Sequence, residues 1–222
     1  MRHFKQMLQI AAVAIAMITT SAQANTVTGS IWEDQPTGAN NATPANVPGT
    51  TPDVTFTTDT PINFSADGTI NYPQYPAPYT IGGFLQSGSG STILSGSGEL
   101  NNTMLNTIFD FRGMVSVTTG ETFTVTHDDG LTLVIGGNTV ISAPGPTSPT
   151  TTTVTYGGPT GNYSFNLVYG ECCGPPAVLN ISLPLSPVPE PSTYAMLLAG
   201  LGLIGFVAYR RKDDSSNMLM AA

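Results

Sequence analysis

Between its two ends the chain is almost without basic residues. Of the 6 Lys and Arg in 222 residues, Arg2, Lys5, Arg210, Arg211 and Lys212 lie near the termini. Arg112 is the one cationic side chain in residues 25–187. Against it stand Glu33, Asp34, Asp53, Asp59, Asp67, Glu99, Asp110, Glu121, Asp128, Asp129 and Glu171. This balance excludes nucleic acid as a partner, because nothing is present to neutralise phosphates. Charge of either sign is scarce: Asp, Glu, Lys and Arg make up 9% of the chain, against about a quarter in an ordinary soluble domain. Thr, Ser, Asn and Gly take their place, giving a polar but mostly uncharged surface.

Other absences narrow the function classes. Only 2 cysteines occur, Cys172 and Cys173, and they are neighbours. With His127 the lone histidine of the central region, no spacing builds a zinc site. No G-x-S-x-G is present, and His127 beside Asp128 does not make a catalytic pair, since sequence neighbours do not adopt the base-and-orienter geometry. No helical amphipathic period and no repeat of 20 to 50 residues is visible in the central region. These absences point to a protein that is not an enzyme. The alternative is an exported polysaccharide-acting enzyme, because a carboxylate pair for sugar hydrolysis is defined by its spacing in three dimensions.

What is present begins at the ends. Arg2, His3 and Lys5 precede a short apolar core from Ile10 to Ile18, and Ala22-Gln23-Ala24 is a small-x-small cleavage site. Residues 1–24 read as a secretory signal peptide, with the mature chain starting at Asn25. At the other end, residues 188–222 open with Val188 and Pro189-Glu190-Pro191 and continue into an uncharged apolar run. Arg210-Arg211-Lys212 follow at once. The run over 192–209 is about eighteen residues, near the minimum for a hydrocarbon core of about 30 Å, and reads as a transmembrane helix. The basic cluster holds its far end on the cytoplasmic side. Gly200, Gly202 and Gly205 match G-x-G-x-x-G, but no strand precedes them. They are small residues on a membrane helix rather than a dinucleotide fingerprint.

The triplet, span and basic tail together resemble the PEP-CTERM sorting signal of exported proteins of Gram-negative bacteria. The resemblance implies an exosortase-type sorting enzyme acting at Pro189, Glu190 and Pro191. It further implies an inner-membrane-anchored precursor, then a place at the cell surface or in an extracellular polysaccharide matrix.

Residues 25–187 are long enough for one domain with its own core. Gly 24 and Pro 18 stay below the combined level that marks low complexity, about 25–30%. Residues 35–53 read as a loop, Tyr72 to Tyr79 as irregular under three prolines, and Gly82 to Gly98 as a long loop or edge hairpin. Strand-like runs are Val54–Thr57, Ile62–Phe64, Thr107–Val117, Thr122–Thr126, Leu131–Ile135, Asn138–Ile141, Thr152–Tyr156, Tyr163–Tyr169 and Val178–Leu183. Short β-branched and aromatic runs at period two with frequent turn residues predict an all-β, antiparallel sandwich or barrel.

The stretch from Glu121 to Ile141, with His127-Asp128-Asp129-Gly130 between two strands, resembles the central motif of PA14-type β-sandwich domains. Gly161 to Tyr169 and Ala177 to Leu183 are similar to the later strands of that family. The resemblance is carried mainly by residues 105–185. It implies a PA14-like β-sandwich and, as in the calcium-dependent lectins of the family, chelation of one calcium ion by Asp128 and Asp129, with the ion meeting sugar hydroxyls. Neighbouring side chains on an extended strand diverge. Convergence on one ion therefore requires unusual backbone, such as a strained or cis peptide. Gly130 is expected to turn the chain at positive φ. Asp-Gly between strands is equally an ordinary hairpin signal, in which case the aspartates are structural.

Cys172 and Cys173 in an exported chain are free to oxidise. A vicinal disulfide rigidifying Gly170 to Pro176 is favoured over a pair of intermolecular bridges. Glu171 beside it is a candidate to bring a third carboxylate near Asp128 and Asp129.

Overall fold

The computed structural model describes residues 26–68, 73–88, 90–183 and 197–204. Among these residues eleven strands form two antiparallel sheets. They are β1 (Val27–Trp32), β2 (Val54–Thr58), β3 (Ile62–Ala66), β4 (Thr92–Ser95), β5 (Thr107–Val117), β6 (Thr122–Asp128), β7 (Gly130–Ile135), β8 (Asn138–Ala143), β9 (Thr150–Thr155), β10 (Gly161–Glu171) and β11 (Ala177–Ile181). The larger sheet has the order β4-β2-β1-β5-β10-β7-β8 and the smaller β3-β11-β6-β9. The spine is the β5–β10 pair, in register from Gly161 opposite Val117 to Glu171 opposite Thr107.

The alternation seen in the sequence places the core. Val54, Phe56 and Thr58 of β2 are buried and their neighbours half-buried, and Phe123, Val125 and His127 of β6 repeat the pattern. These faces meet in one apolar layer that joins Phe56, Phe111, Leu133 and Leu167 of the large sheet to Phe64, Val125 and Leu179 of the small one. Each such side chain contributes about 1.5–3 kcal/mol on burial. Trp32, Ile108, Val168 and Ala42 form a second, smaller cluster on the outer side of the large sheet, with Val47 against it.

Several expectations change. The segment Gly82 to Gly98 is neither a loop nor a hairpin. It holds helix α2 (Ile81–Ser87), then the edge strand β4. Thr80 caps this helix by accepting the Gly83 N–H at 3.0 Å, and Ile81, Phe84 and Leu85 enter the core. Glycines at 82 and 83 hide the helix from propensity, although the i, i+3, i+4 apolar spacing is there. Helix α1 (Pro36–Ala39) is a single turn inside the expected 35–53 loop. Strand β1, which no alternating run announced, lies between β2 and β5.

The largest change concerns β6 and β7. They do not form a hairpin. β6 belongs to the small sheet, between β11 and β9, and β7 to the large one, between β10 and β8. The chain crosses from one sheet to the other at Asp128-Asp129.

Residues 187–222 are a separate unit. Of it, residues 197–204 are described; they are helical with Leu197, Leu198, Leu201, Leu203 and Ile204 exposed. Among the described residues no helix is long and apolar enough to cross a membrane. The signal peptide at 1–24, Pro189-Glu190-Pro191, Arg210-Arg211-Lys212 and most of the 192–209 span lie outside the described residues.

Candidate metal and ligand site

The crossing between the sheets positions the site. Asp128 ends β6, opposite Val178 of β11. Gly130 begins β7, opposite Gly170 of β10. The Asp128–Asp129 peptide is cis. Gly130 is not among the positive-φ glycines, so the expected left-handed turn is absent. A side chain there is excluded for another reason: a Cβ would run into the carbonyl of Pro144. Glycine is required for close approach, not for handedness.

Glu171, at the end of β10, brings its carboxylate to the pair. Asp128, Asp129 and Glu171 each offer an oxygen within 4.8 Å of the others, and all three are buried, at 4%, 3% and 0% exposure. Asp129 is the most firmly held. Its Oδ1 accepts the Thr147 N–H at 3.0 Å, and its Oδ2 accepts the N–H groups of Cys172 at 2.9 Å and Cys173 at 3.2 Å. Its backbone carbonyl accepts from His127 Nδ1 at 2.6 Å. That bond puts the imidazole proton on Nδ1, so Nε2 accepts from the Thr152 hydroxyl at 3.3 Å. Burial lowers the His127 pKa and keeps the ring neutral.

Two tyrosines close the other side. Tyr79 donates to Glu171 Oε1 at 2.6 Å, and the Tyr169 hydroxyl lies 2.8 Å from Glu171 Oε2 and also against the Asp128 carbonyl. One hydroxyl proton serves one acceptor at a time. If Tyr169 donates to the carbonyl, Glu171 must carry a proton to keep its own bond to Tyr169.

Among the described residues the cluster has no counter-cation. Arg112 is bound to Asp110, with NH2 at 2.7 Å from Oδ2, and every other Lys and Arg lies outside the described residues. Acidity responds accordingly. Asp128 is pushed up to about 8, first by burial and then by the charge of Asp129 and a hydrogen bond with it. Glu171 is pushed up to about 9, first by burial and further by the charges of Asp129 and Asp128, against the lowering effect of the two tyrosine hydroxyls. Tyr79 and Tyr169 are raised as well, by burial and by Glu171.

Cys172 and Cys173 are joined to each other by a disulfide. Asp129 and the two sulfurs are close enough to share an ion, but bonded sulfurs are not thiolates, which leaves only oxygen donors. That donor set suits a hard cation such as calcium and not zinc or copper. Beside the site, His127, Pro144, Thr147, Thr150 and Thr152 line an open cavity of about 320 Å³.

Sequence reasoning singled out Asp128 and Asp129, and the structure brings Glu171 to them. It missed Tyr79, Tyr169 and Thr147. Tyr79 sits 92 positions from Glu171 in a proline-rich stretch, and no local pattern links them. Pro189, Glu190, Pro191, Arg210, Arg211 and Lys212 have no described placement.

Comparison with known proteins agrees with both resemblances. Residues 187–212 match the PEP-CTERM protein-sorting motif. The fold is that of PA14 domains. One solved structure, the "PA14 sugar-binding domain from RTX adhesin", is 23% identical, with a TM-score of 0.52, over 72% of this chain and 90% of that one. A second, the PA14 domain of the MpAFP antifreeze protein, is 19% identical, with a TM-score of 0.51, over 77% of this chain and 88% of that one. The chain thus carries a PEP-CTERM sorting motif and a PA14-fold domain. No curated protein sequence matches it. The fold likeness extends well beyond residues 105–185, because β1 to β4 complete the sandwich.

Proposed function

We propose that this is an exported, non-enzymatic surface or extracellular-matrix protein whose PA14-fold domain binds carbohydrate with the help of one calcium ion held by Asp128, Asp129 and Glu171. Residues 1–24 direct export, the apolar 192–209 segment holds the precursor in the inner membrane, and an exosortase-type enzyme recognises the Pro189-Glu190-Pro191 segment. The matched sorting motif supports the route. The solved adhesin domain of the same fold is a sugar-binding domain by its description, which supports the ligand class.

One observation carries the calcium reading: three buried carboxylates converge within 4.8 Å with no cationic side chain among them. Burying carboxylates without partners costs several kcal/mol per ion. The cluster therefore either keeps protons or takes a cation. A divalent ion bound by hard oxygens replaces those protons, and Asp129, fixed by three N–H groups, is already oriented to receive it. An ion held there would supply a hard-cation contact for sugar hydroxyls. Asp128 and Asp129 hold it, and Glu171 supports it from the tyrosine side.

The polysaccharide-acting enzyme has less support. A retaining hydrolase sets two carboxyls about 5–5.5 Å apart on either side of a bound sugar, and an inverting one sets them further apart. Here Glu171 is fully buried and holds both carboxylate oxygens against the Tyr79 and Tyr169 hydroxyls, which leaves it no open side on which to flank a sugar.

Thermal melting under calcium titration tests the reading. A ligand bound only by the folded state raises stability by RT ln(1 + [L]/Kd), about 2.7 kcal/mol at one hundred times Kd, which is several degrees for a domain this size. The shift is expected in the wild type and not in Asp128→Asn with Asp129→Asn. An equal response in both proteins would sink the calcium reading, and turnover of an oligosaccharide would sink the non-enzymatic one.

A further inference from the structure

We propose that the outer face of the seven-stranded sheet carries a second carbohydrate subsite, independent of calcium, in which Arg112, Asn166 and Ser164 receive an uncharged sugar ring above Val134. It rests on the carbohydrate reading for its ligand class, and uses none of the residues at the sheet crossing.

The geometry is a cross-strand row. Thr28, Arg112, Asn166 and Val134 face one another in register across β1, β5, β10 and β7. Directly opposed residues have Cβ atoms about 4.5–5.5 Å apart, which is the scale of a single sugar ring. Arg112, Gly113, Val134, Gly137, Ser164 and Asn166 line an open cavity of about 370 Å³ there, with Phe165. The half of this face near Trp32 and Val168 is covered by Ala42 and Val47. The cavity lies on the other half.

The polar groups are organised rather than scattered. Asp110 is buried to 4% exposure and acts as the anchor. Its Oδ2 accepts Arg112 Nε at 2.8 Å and NH2 at 2.7 Å, and its Oδ1 accepts Asn166 Nδ2. A guanidinium has five N–H donors, so the far edge of Arg112 still offers donors outward; its side chain is 68% exposed. The Asn166 amide, with Nδ2 on Asp110, turns its oxygen away as an acceptor. The exposed Ser164 hydroxyl serves as either. Preset donors and acceptors side by side match vicinal sugar hydroxyls, and half-buried Val134 offers an apolar surface to the ring's C–H groups.

Charge selects the ligand. Asp110 neutralises Arg112, and residues 25–187 hold ten further carboxyl groups and no other Lys or Arg. A uronate or sulfated polymer is repelled by this field, so a neutral hexose polymer fits.

The test uses the full-length protein in a non-glycosidic detergent with excess EDTA. Saturation-transfer NMR is recorded with tetramers of α-1,4-glucan, β-1,4-glucan and α-mannan, and with an alginate oligomer. At least one neutral tetramer is expected to receive saturation without calcium. Its signal should fall at least fivefold in Ser164→Arg, which fills the cavity from an exposed position. It should also fall in Arg112→Lys, which keeps the charge beside Asp110 and loses the fork. Silence of all neutral tetramers in EDTA, an undiminished signal in Ser164→Arg, or preference for alginate overturns the proposal. The calcium reading is scored by ion titration instead, so either can fail alone.

Discussion

The Cys172 N–H donates to Asp129 Oδ2 at 2.9 Å, joining residues 43 positions apart at the boundary between the two sheets. The next amide, Cys173 N–H, reaches the same oxygen at 3.2 Å. Two consecutive amides aim at one carboxylate oxygen because the disulfide holds the turn that presents them. On the proposed function the cysteines act on calcium through Asp129 and not through sulfur ligation. Replacing both with Ala retains the amides but frees the turn. Calcium affinity is expected to weaken by about tenfold, or about 1.4 kcal/mol, measured by titration calorimetry. The same weakening is expected on reduction of the wild type.

Tyr169 is the second support. Its hydroxyl contacts the Asp128 carbonyl and Glu171 Oε2. In Tyr169→Phe the Asp128 carbonyl and the Glu171 carboxyl both lose that hydroxyl as a hydrogen-bond partner, at a cost of about 1–3 kcal/mol. Chemical denaturation in EDTA should read this loss, and calcium should restore part of it.

The aromatic core reaches the site through the same residue. Phe84 of α2 stacks on Tyr169 with ring centroids 5.8 Å apart and an interplanar angle of 4°. It also meets Phe64 at 5.2 Å and Phe109 at 5.5 Å. Phe84→Ala is expected to cost about 3–5 kcal/mol, measured by denaturant unfolding. Its calcium affinity should fall too, because the Tyr169 ring loses its packing partner.

Stability without calcium should depend on pH. Asp128 and Glu171 are raised to about 8 and about 9 in the folded protein, against about 4 when unfolded. Between these limits the folded state holds more protons than the unfolded one, so stability falls as pH rises. The contribution of both groups is complete below about pH 4 and is lost as pH passes through 8 to 9. Melts in EDTA from pH 5 to pH 9 should show the decline. Asp128→Asn with Glu171→Gln should flatten it.

How far the site was legible depends on sequence distance. Asp128 and Asp129 announce themselves, since adjacent carboxylates before glycine between two apolar runs form an unusual local pattern. The period-two runs of β5 and β10 expose the spine of the large sheet. The crossing from β6 to β7 was not legible, because a hairpin and a change of sheet share the same strand-turn-strand pattern. Gly130 was noticed for its flexibility, whereas its neighbour Pro144 sets the requirement. Strand β1 escaped because Gly29 and Ser30 interrupt its alternation. The Gly29 position is filled by Phe56 of β2, whose ring occupies the space of a side chain. Tyr79 reaches Glu171 only across 92 positions of folded chain, whereas Tyr169 stands two residues before it on the same strand, a local spacing whose meaning appears only with the site around it.

The central claim is one calcium ion at the meeting point of the two sheets. Isothermal titration of the metal-free, full-length protein with calcium at pH 7 tests it most directly. The account predicts one ion per chain, with release of protons that differing buffer ionisation heats reveal, and loss of that binding in Asp128→Asn with Asp129→Asn. Absence of binding in the wild type, or identical binding in the double variant, would contradict it.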